Sequence, residues 1–245
     1  MTVAVILQAR CSSTRLPGKV LKLLHGRSVL SHIVERVKQC DLIDRLIVAT
    51  TDRAVDIPII DECRRIGVDT FCGSEDDVLA RYYGASRCYP TDAIVRLTAD
   101  NLFTDMESLR FLIEDFSRSR YDYMKTNRFL PLGTGAEIFS FAAIESAFYR
   151  AMKPEEREHV TPHFYRNPQI FSVAESCFCS VEKDYSVMRL TLDTPEDWDL
   201  CRALFDAIYH DENIPSTREI IDYLKTRPEL LQLNRNIVQV SLTAM

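Results

Sequence analysis

The stretch Val3-Ala4-Val5-Ile6-Leu7-Gln8-Ala9-Arg10-Cys11-Ser12-Ser13-Thr14-Arg15-Leu16-Pro17-Gly18-Lys19 predicts a buried strand and the loop that follows it. Its first five residues are apolar and largely β-branched, which is typical of a parallel strand covered by helices on both faces. A loop that leaves such a strand lies at the carboxyl edge of the sheet, where open α/β folds bind ligands. We therefore interpret residues 8–19 as a ligand-binding loop.

The composition of this loop favours a polyphosphate ligand. Three cations lie beside three hydroxyl side chains, and together they offer donors to several phosphate oxygens at once. A Walker A motif is excluded, because Ser13 and Val20 stand where that motif needs glycine and a hydroxyl residue. The alternative is a solvated basic loop that binds nothing. The residues expected to contact the nucleotide here are Gln8, Ala9, Arg10, Ser12, Ser13, Arg15 and Lys19.

Charge and cysteine content limit the class of protein. The 245 residues carry a net charge of −6, yet residues 1–40 hold seven cations and one acid, so that segment is +6 and the remainder −12. A basic patch on an acidic body suits a small anion and argues against nucleic acid or a membrane surface as partner. The eight cysteines include no CxxC pair, and Cys177 and Cys179 are expected to form a buried pair on a strand. A cytoplasmic location is expected.

Alternating strand and helix patterns predict the fold. Apolar β-rich runs recur at 46–49, 68–71, 93–98 and 187–192, with helical periodicity between them and a helix expected to open at Ser74. This alternation indicates an α/β protein, a mostly parallel sheet with helices on both faces, in one domain over residues 1–245. The pattern loosens at 121–168, which we interpret as a smaller α+β lobe over the sheet edge that contacts substrate or a second subunit.

Two aspartates are expected at the same sheet edge as the basic loop. Asp100 follows the 93–98 strand, and Asp193 follows the 187–192 strand. Carboxylates that face a polyphosphate need a mediator, and Mg²⁺ is the usual one, so both are candidate magnesium ligands. The equally weighted alternatives are an Asp-Asn turn at Asp100 and a helix flank at Asp193.

Further polar residues follow the other strands and could contact a nucleoside. For most of them a turn or helix-cap role is at least as plausible, and for Arg81 an ion pair with Asp77 is an equal alternative. His159, beside Glu158, could orient a substrate carboxylate or lie on the surface. The candidate nucleoside contacts are Thr50, Thr51, Asp52, Ser74, Asp77 and Arg81, and the candidate substrate contacts are Glu158 and His159.

Four separated motifs carry a resemblance to a known family. The 8–19 loop and Asp193-Thr194-Pro195-Glu196-Asp197 resemble the cytidylyltransferases that activate sugar acids, the Kdo and acylneuraminate cytidylyltransferases. Residues 73–83 and 157–162 resemble the branch of spore-coat polysaccharide biosynthesis proteins. The likeness runs from about residue 3 to about residue 232.

The resemblance implies a three-layer α/β/α fold of the nucleotide-diphospho-sugar transferase, GT-A-like type, in an often dimeric enzyme. Such an enzyme uses CTP and Mg²⁺ to make a CMP-sugar and pyrophosphate. Carried over, Arg10 and Lys19 bind the CTP phosphates, Asp100 and Asp193 bind the metal, and all four are expected to be catalytic. Thr98 is expected at the nucleotide and Glu137 at the sugar acid. The sequence departs from the family at 98–102, where a glycine and a proline are absent, and at 132–137, where two acids are lost.

Two other functions are compatible with these residues. A glycosyltransferase of similar fold would consume a nucleotide sugar, although the loop carries more positive charge than a diphosphate requires. A non-catalytic nucleotide-binding or scaffold protein would bind nucleotide without forming product.

Overall fold

Strand β1 (Val3–Gln8) lies inside a seven-stranded sheet in the computed structural model, which describes residues 1–210 and 213–238. The other strands are β2 (Leu23–Leu24), β3 (Arg27–Ser28), β4 (Arg45–Thr51), β5 (Asp69–Gly73), β6 (Ala93–Thr98), β7 (Tyr123–Lys125), β8 (Glu137–Ser140) and β9 (Val173–Glu175). The helices are α1 (Val29–Val37), α2 (Ile57–Ile66), α3 (Val78–Cys88), α4 (Met106–Arg118), α5 (Phe141–Arg150), α6 (Pro154–His159), α7 (Pro162–Tyr165), α8 (Pro195–Ile208) and α9 (Thr217–Thr226).

The sheet has the strand order β5-β4-β1-β6-β8-β7-β9, and β2 pairs with β3 separately. Strands β1, β4, β5 and β6 are mutually parallel, whereas β8 is antiparallel to both β6 and β7. Gln8 at the end of β1 is in register with Thr98 at the end of β6, so the loops after these strands leave the same edge. The strands predicted at 46–49, 68–71 and 93–98 are confirmed, apart from shifts at their ends.

Helices cover both faces of the sheet, as predicted. Alternate residues of β1 point to opposite faces, so Val5 and Leu7 join one buried cluster while Ala4 and Ile6 join another. The first cluster includes residues of α1, α4, α8 and α9, and the second includes residues of α3, α5 and α7. The result is a three-layer α/β/α architecture in which residues 3–7 of β1 are buried and Gln8 is partly exposed.

The ends of the helices follow local sequence signals. α8 begins with a capping box, in which the Thr194 side chain accepts from the Asp197 amide and the Asp197 side chain accepts from the Thr194 amide. α3, however, does not open at Ser74 as predicted. It begins three residues later, because Asp77 is its cap and accepts from the Ala80 amide at 2.9 Å, while the Ser74 hydroxyl accepts from the Asp77 amide in the preceding turn.

The segment 121–168 contributes to the main sheet. Its strands β7 and β8 pair with each other and extend the sheet beyond β6, and its helices α5 and α7 pack on one face. The segment therefore supplies both a part of the central layer and its cover. Its roles in substrate binding and dimerisation stay predictions.

The strand predicted at 187–192 is wrong. Residues 187 and 188 lie in a turn and a bend. The remainder makes a single isolated bridge between Leu132 and Arg189, and the Leu192 amide donates to the Asp100 carbonyl at 2.9 Å. It reaches the active edge of the sheet as a loop, because the positions next to β6 are already filled by β1 and β8.

The prediction of a buried cysteine pair on a strand is also wrong. Cys177 is exposed, Cys179 is half-buried, and both follow the end of β9. All eight cysteines are free thiols. The sequence from Ile214 to the chain end predicts small helices and a polar tail, and residues 239–245 of this segment lie outside the described residues. No helix within the described ranges is both long and apolar enough to cross a bilayer.

We expect Gly133→Ala to destabilise the protein more than a matched glycine substitution. Gly133 has φ of +90°, and an added Cβ would lie 2.6 Å from the Thr191 amide nitrogen. An alanine with this left-handed backbone is strained by roughly 1–2 kcal/mol, and its contact with Thr191 adds overpacking of about 1–3 kcal/mol. Chemical denaturation measures the difference.

Gly67→Ala is the control, since Gly67 has φ of +67° with open space where the Cβ would be. Equal losses of unfolding free energy in the two variants would contradict the close approach of Gly133 to Thr191.

Candidate active site

The loop after β1 is folded back on itself so that Lys19 points into the protein. The amides of Ser13 and Gly18 both donate to the Cys11 carbonyl, at 2.9 and 3.0 Å, and the Cys11 amide donates to Asp56 at 2.6 Å. Gly18 has φ of +65°, a conformation that glycine adopts without strain. The turn brings Lys19 from the basic loop to the end of the sheet.

The Lys19 ammonium group joins three parts of the chain. Its Nζ donates to Asp193 Oδ1 at 2.9 Å, to the Leu192 carbonyl at 2.8 Å and to Asp100 Oδ2 at 3.2 Å. An ammonium has three protons, so these contacts can satisfy it completely. The predicted convergence of the loop with both aspartates is thus observed, although Asp193 arrives on an extended loop.

Asp100 is held in its ionised form. Burial acts to raise its pKa, but the Lys19 charge and hydrogen bonds from Thr98 and Lys19 outweigh it, so the pKa of Asp100 lies below its ordinary value. The Thr98 hydroxyl donates to Asp100 Oδ1, the carboxylate oxygen that Lys19 does not contact. Asp100 therefore carries a full negative charge at neutral pH.

Asp193 is held by cations on both sides. Its Oδ2 lies 3.1 Å from Arg189 and 3.3 Å from Arg15, while its Oδ1 faces Lys19. Arg189 also forms a two-bond contact with the buried Asp197, at 2.8 and 2.9 Å, and Asn234 donates to Asp197 at 2.9 Å. The fork of Arg189 thus fixes Asp193 relative to the start of α8.

Two cavities meet at Thr98 and Asp100. The first, the loop cavity, has about 230 Å³, and its lining includes Gln8, Ala9, Arg10, Ser12, Ser13, Arg15, Lys19, Thr98, Asp100 and Asp193. The second, the β7–β8 cavity, has about 400 Å³ and is lined by residues of 96–101, 125–137 and Thr191. These ten residues were all predicted as site residues, and they line one cavity. Thr98 and Asp100 also line the β7–β8 cavity.

The β7–β8 cavity carries both signs of charge. Glu137, a predicted substrate contact, lies on its wall, where its carboxylate accepts from Arg96 and from the Tyr123 hydroxyl, both at 2.6 Å. Lys125 and Arg128 also line the cavity and lie 3.4 and 3.6 Å from Glu175, in partly exposed pairs. Three cations thus surround a space next to Asp100.

The predicted residues at the end of β4 do not line the loop cavity. Thr50 and Thr51 are fully buried, and the Thr51 hydroxyl donates to Asp56, which also accepts from the Cys11 amide. Asp52 is exposed. Thr51 thus supports the loop through Asp56, and a nucleoside contact by any of the three residues stays a prediction.

Asp77 and Arg81 do not form the ion pair that was the alternative for Arg81. Asp77 instead accepts two hydrogen bonds from Arg157 of α6, at 2.6 and 2.8 Å, and so joins the two stretches that carry the branch resemblance. Arg81 is buried and donates to the Ser74 carbonyl at 3.0 Å. Ser74, Asp77 and Arg81 lie outside both cavities, as do Glu158 and His159.

Sequence reasoning did not identify several residues that hold the site together. Glu75 accepts from Ser12 at 2.7 Å and from Arg53, and lies 3.9 Å from Arg10, so it anchors the loop from the end of β5. Because Glu75 follows the parallel strand β5, its place at this edge of the sheet could have been predicted from the sequence. Arg189 was detectable as a cation four residues before Asp193, whereas no local signal indicated Asn234.

The donor set at Lys19 fits a divalent cation only in part. Asp100 and Asp193 each present an oxygen to the same point, and hard carboxylate oxygens are what Mg²⁺ prefers. No cluster of three or more acidic, histidine or cysteine side chains suited to a metal occurs in the described part of the chain. Two protein oxygens leave most of the coordination sphere to water and phosphate, which is usual for magnesium at nucleotide sites.

Comparisons with known proteins agree with the fold and identify the family. A family model described as cytidylyltransferase matches residues 4–233. The spore coat polysaccharide biosynthesis protein SpsF of Bacillus subtilis is 32% identical over 234 residues, covering 93% of this chain and 95% of that protein. A 3-deoxy-manno-octulosonate cytidylyltransferase of Aeromonas salmonicida is 34% identical over 121 residues, 42% of this chain and 46% of that one. A solved cytidylyltransferase from Leptospira borgpetersenii superposes with a TM-score of 0.88 at 28% identity, over 98% of this chain and 100% of that chain.

We expect Asp197→Asn to destabilise the protein at neutral pH by about 3 kcal/mol, the usual cost of leaving a buried charge without its partner. Burial acts to raise the pKa of Asp197, but hydrogen bonds from Arg189 and Asn234 lower it below its ordinary value. Its stabilisation is therefore complete above the unfolded-state pKa of about 3.9 and is lost as pH falls through the lower folded-state pKa. Urea denaturation at pH 7 and near pH 3 measures the difference.

The matched control is Asp222→Asn, which removes one partner of an exposed pair with Lys225. Its loss of unfolding free energy should stay below about 1 kcal/mol at pH 7. A pH-independent loss in Asp197→Asn would contradict the ionised role of this carboxylate.

Proposed function

The chain belongs to the cytidylyltransferase family, and on that premise we propose that it transfers CMP from CTP to a sugar acid, giving a CMP-sugar and pyrophosphate. The observation that carries the proposal is the position of Lys19, between Asp100 and Asp193 and at the meeting of two cavities. One cavity then holds the nucleotide and the other the acceptor, with the reacting atoms near their common wall.

The loop cavity suits the triphosphate. Arg10 and Arg15 are half exposed, with side-chain exposures of 41% and 46%, so both can turn toward incoming phosphate at little cost. Lys19 is nearly buried and already positioned, and the loop amides and hydroxyls of Ser12 and Ser13 supply further donors. Positively charged groups that are fixed before the substrate arrives stabilise the charge that develops in phosphoryl transfer.

Asp100 and Asp193 are the residues that would hold Mg²⁺. When bound there, the ion neutralises phosphate oxygens and helps to align them. Until nucleotide and metal arrive, Lys19 balances the two carboxylates, which would otherwise repel each other across a short distance. We propose that Lys19 then shifts its contacts toward a phosphate oxygen.

The β7–β8 cavity suits a sugar that carries a carboxylate. Arg96 is committed to Glu137 at 2.6 Å, but Lys125 and Arg128 make only longer, exposed contacts with Glu175. Exposed ion pairs of this kind contribute little to stability, so Lys125 and Arg128 can readily exchange Glu175 for the carboxylate of a substrate. The similarity to a 3-deoxy-manno-octulosonate cytidylyltransferase supports the same class of acceptor.

The chemistry required of the protein is mainly positioning. A hydroxyl of the sugar attacks the α-phosphorus, the new O–P bond forms, and the bond to the pyrophosphate leaving group breaks in line with it. The loop cations stabilise the leaving group, and the wall formed by Thr98 and Asp100 sets the two substrates at attacking distance.

We expect purified protein with CTP, Mg²⁺ and a sugar acid such as Kdo or N-acetylneuraminate to release pyrophosphate. Asp100→Asn and Lys19→Met should each lower this rate at least 100-fold, because each removes a charge at the reacting phosphate. CTP should raise the melting temperature of the wild-type protein more than UTP or ATP does.

Asp41→Asn is the control for these two variants, since Asp41 is exposed and pairs with Arg110 on the surface. It should keep the wild-type rate. Absence of pyrophosphate with every sugar acid, together with no thermal stabilisation by CTP, would refute the proposal, and release of a nucleoside diphosphate from a nucleotide sugar would point to a glycosyltransferase.

We expect the double variant Lys125→Gln and Arg128→Gln to raise KM for the sugar acid about tenfold or more while KM for CTP stays unchanged. The two cations line only the acceptor side of the shared wall. Initial-rate kinetics with each substrate varied in turn measure both constants.

The control is Arg118→Gln, an exposed arginine that pairs with Glu114 on α4. A changed KM for CTP, or equal use of a neutral hexose by the wild-type protein, would show that these cations do not recognise a substrate carboxylate.

A further inference from the structure

A third cavity lies away from the proposed active site, where the N-terminal ends of α4 and α9 approach each other. It has about 360 Å³ and is lined by Arg36, Gln39, Asp105, Met106, Glu107, Ser180, Ile214, Ser216, Thr217 and Arg218. It shares no residue with the loop cavity or the β7–β8 cavity. Nothing in the proposed transfer of CMP uses it.

Two buried hydroxyl groups at this cavity have no hydrogen-bond partner within the described residues. Ser180 is 4% exposed and Thr217 is 1% exposed, and neither hydroxyl oxygen has a hydrogen-bond partner among the residues that the structure describes. A buried polar group without a hydrogen-bond partner destabilises the fold. Two of them at one cavity indicate a ligand that supplies acceptors.

Two arginines at the same cavity lack an acidic partner. Arg36 is 2% exposed and donates only to neutral oxygens, those of Thr104, Tyr209 and Pro215. Arg218 donates to the Ser180 carbonyl at 3.0 Å. Within residues 1–210 and 213–238 no carboxylate lies within 4.0 Å of either guanidinium, and a buried unpaired cation favours an anion nearby.

The two helix ends add oriented donors. The amides of Met106 and Glu107 open α4, those of Thr217 and Arg218 open α9, and first-turn amides have no acceptor within their helix. Of the two acids at the cavity, Asp105 uses one oxygen to cap the Ser108 amide at 2.7 Å, and Glu107 is exposed. The donors therefore outnumber the acceptors on the cavity wall.

We propose that this cavity binds the phosphate group of a small ligand. Phosphate offers several strong acceptor oxygens, which match the two hydroxyls, the two guanidinium groups and the helix amides. The group can come from free inorganic phosphate or from a phosphate monoester. A link to the acceptor side exists, because Arg36 donates to the Thr104 carbonyl and the next amide, of Asp105, donates to the Thr134 carbonyl at 2.8 Å, beside Gly133 of the β7–β8 cavity.

The test is titration of the full-length protein with inorganic phosphate and, separately, with glycerol 3-phosphate, in chloride buffer of matched ionic strength. Isothermal calorimetry should detect binding of at least one of them, and the tighter one identifies the source of the phosphate group. The double variant Ser180→Ala and Thr217→Val should weaken that binding at least tenfold. Its own unfolding free energy should stay equal to the wild-type value or rise, because the removed hydroxyls had no partners.

Two further variants make the result specific. Arg218→Met changes an exposed residue and should weaken binding without a loss of folding. Arg118→Met changes another exposed arginine, which lies outside the cavity, and should leave binding unchanged. Lys19→Met disables the loop cavity and should leave this binding intact. Binding that is lost in Lys19→Met, binding that persists unchanged in the double variant and in Arg218→Met, or no binding of either phosphate would each overturn the proposal.

Discussion

The contact of the Lys19 ammonium with Asp100, Asp193 and the Leu192 carbonyl is the interaction on which the rest of the site depends. It joins the first loop of the chain to a residue 81 positions later and to another 174 positions later. Two carboxylates cannot be held this close in a partly buried place without a cation between them. The same contact therefore organises the fold at the sheet edge and balances two carboxylates that would otherwise repel each other.

Around this contact lie supporting residues that line neither the loop cavity nor the β7–β8 cavity. Asp56 and Glu75 hold the loop from below, and the fork of Arg189 ties Asp193 to the capped start of α8. Asp197 serves both the capping box and Arg189, so helix formation and site geometry share one carboxylate. Rigid support of this kind is what fixes the charged groups before the substrate arrives.

The sequence predicts the parts of this site whose position follows from strand ends. β1 and β6 are short apolar runs, so the loop at 9–18 and Asp100 could be placed at one edge in advance. Asp193 was expected at the end of a sheet strand and reaches the site instead on an extended segment, which Gly133 allows to pass close to its neighbour. The roles of Ser74, Asp77 and Arg157 were out of reach, because a side chain that can cap a helix or form an ion pair chooses its partner only after distant elements have packed.

The reversed direction of β8 has an evolutionary consequence. The parallel strands β1, β4, β5 and β6 deliver their carboxyl ends to the active edge, whereas β8 delivers its amino end, so the connection of residues 126–136 between β7 and β8 lies at that edge. This connection forms much of the wall of the β7–β8 cavity, whereas the loop after β1 lines the loop cavity. Insertions and substitutions in residues 126–136 can therefore reshape the β7–β8 cavity while the loop after β1 keeps its geometry.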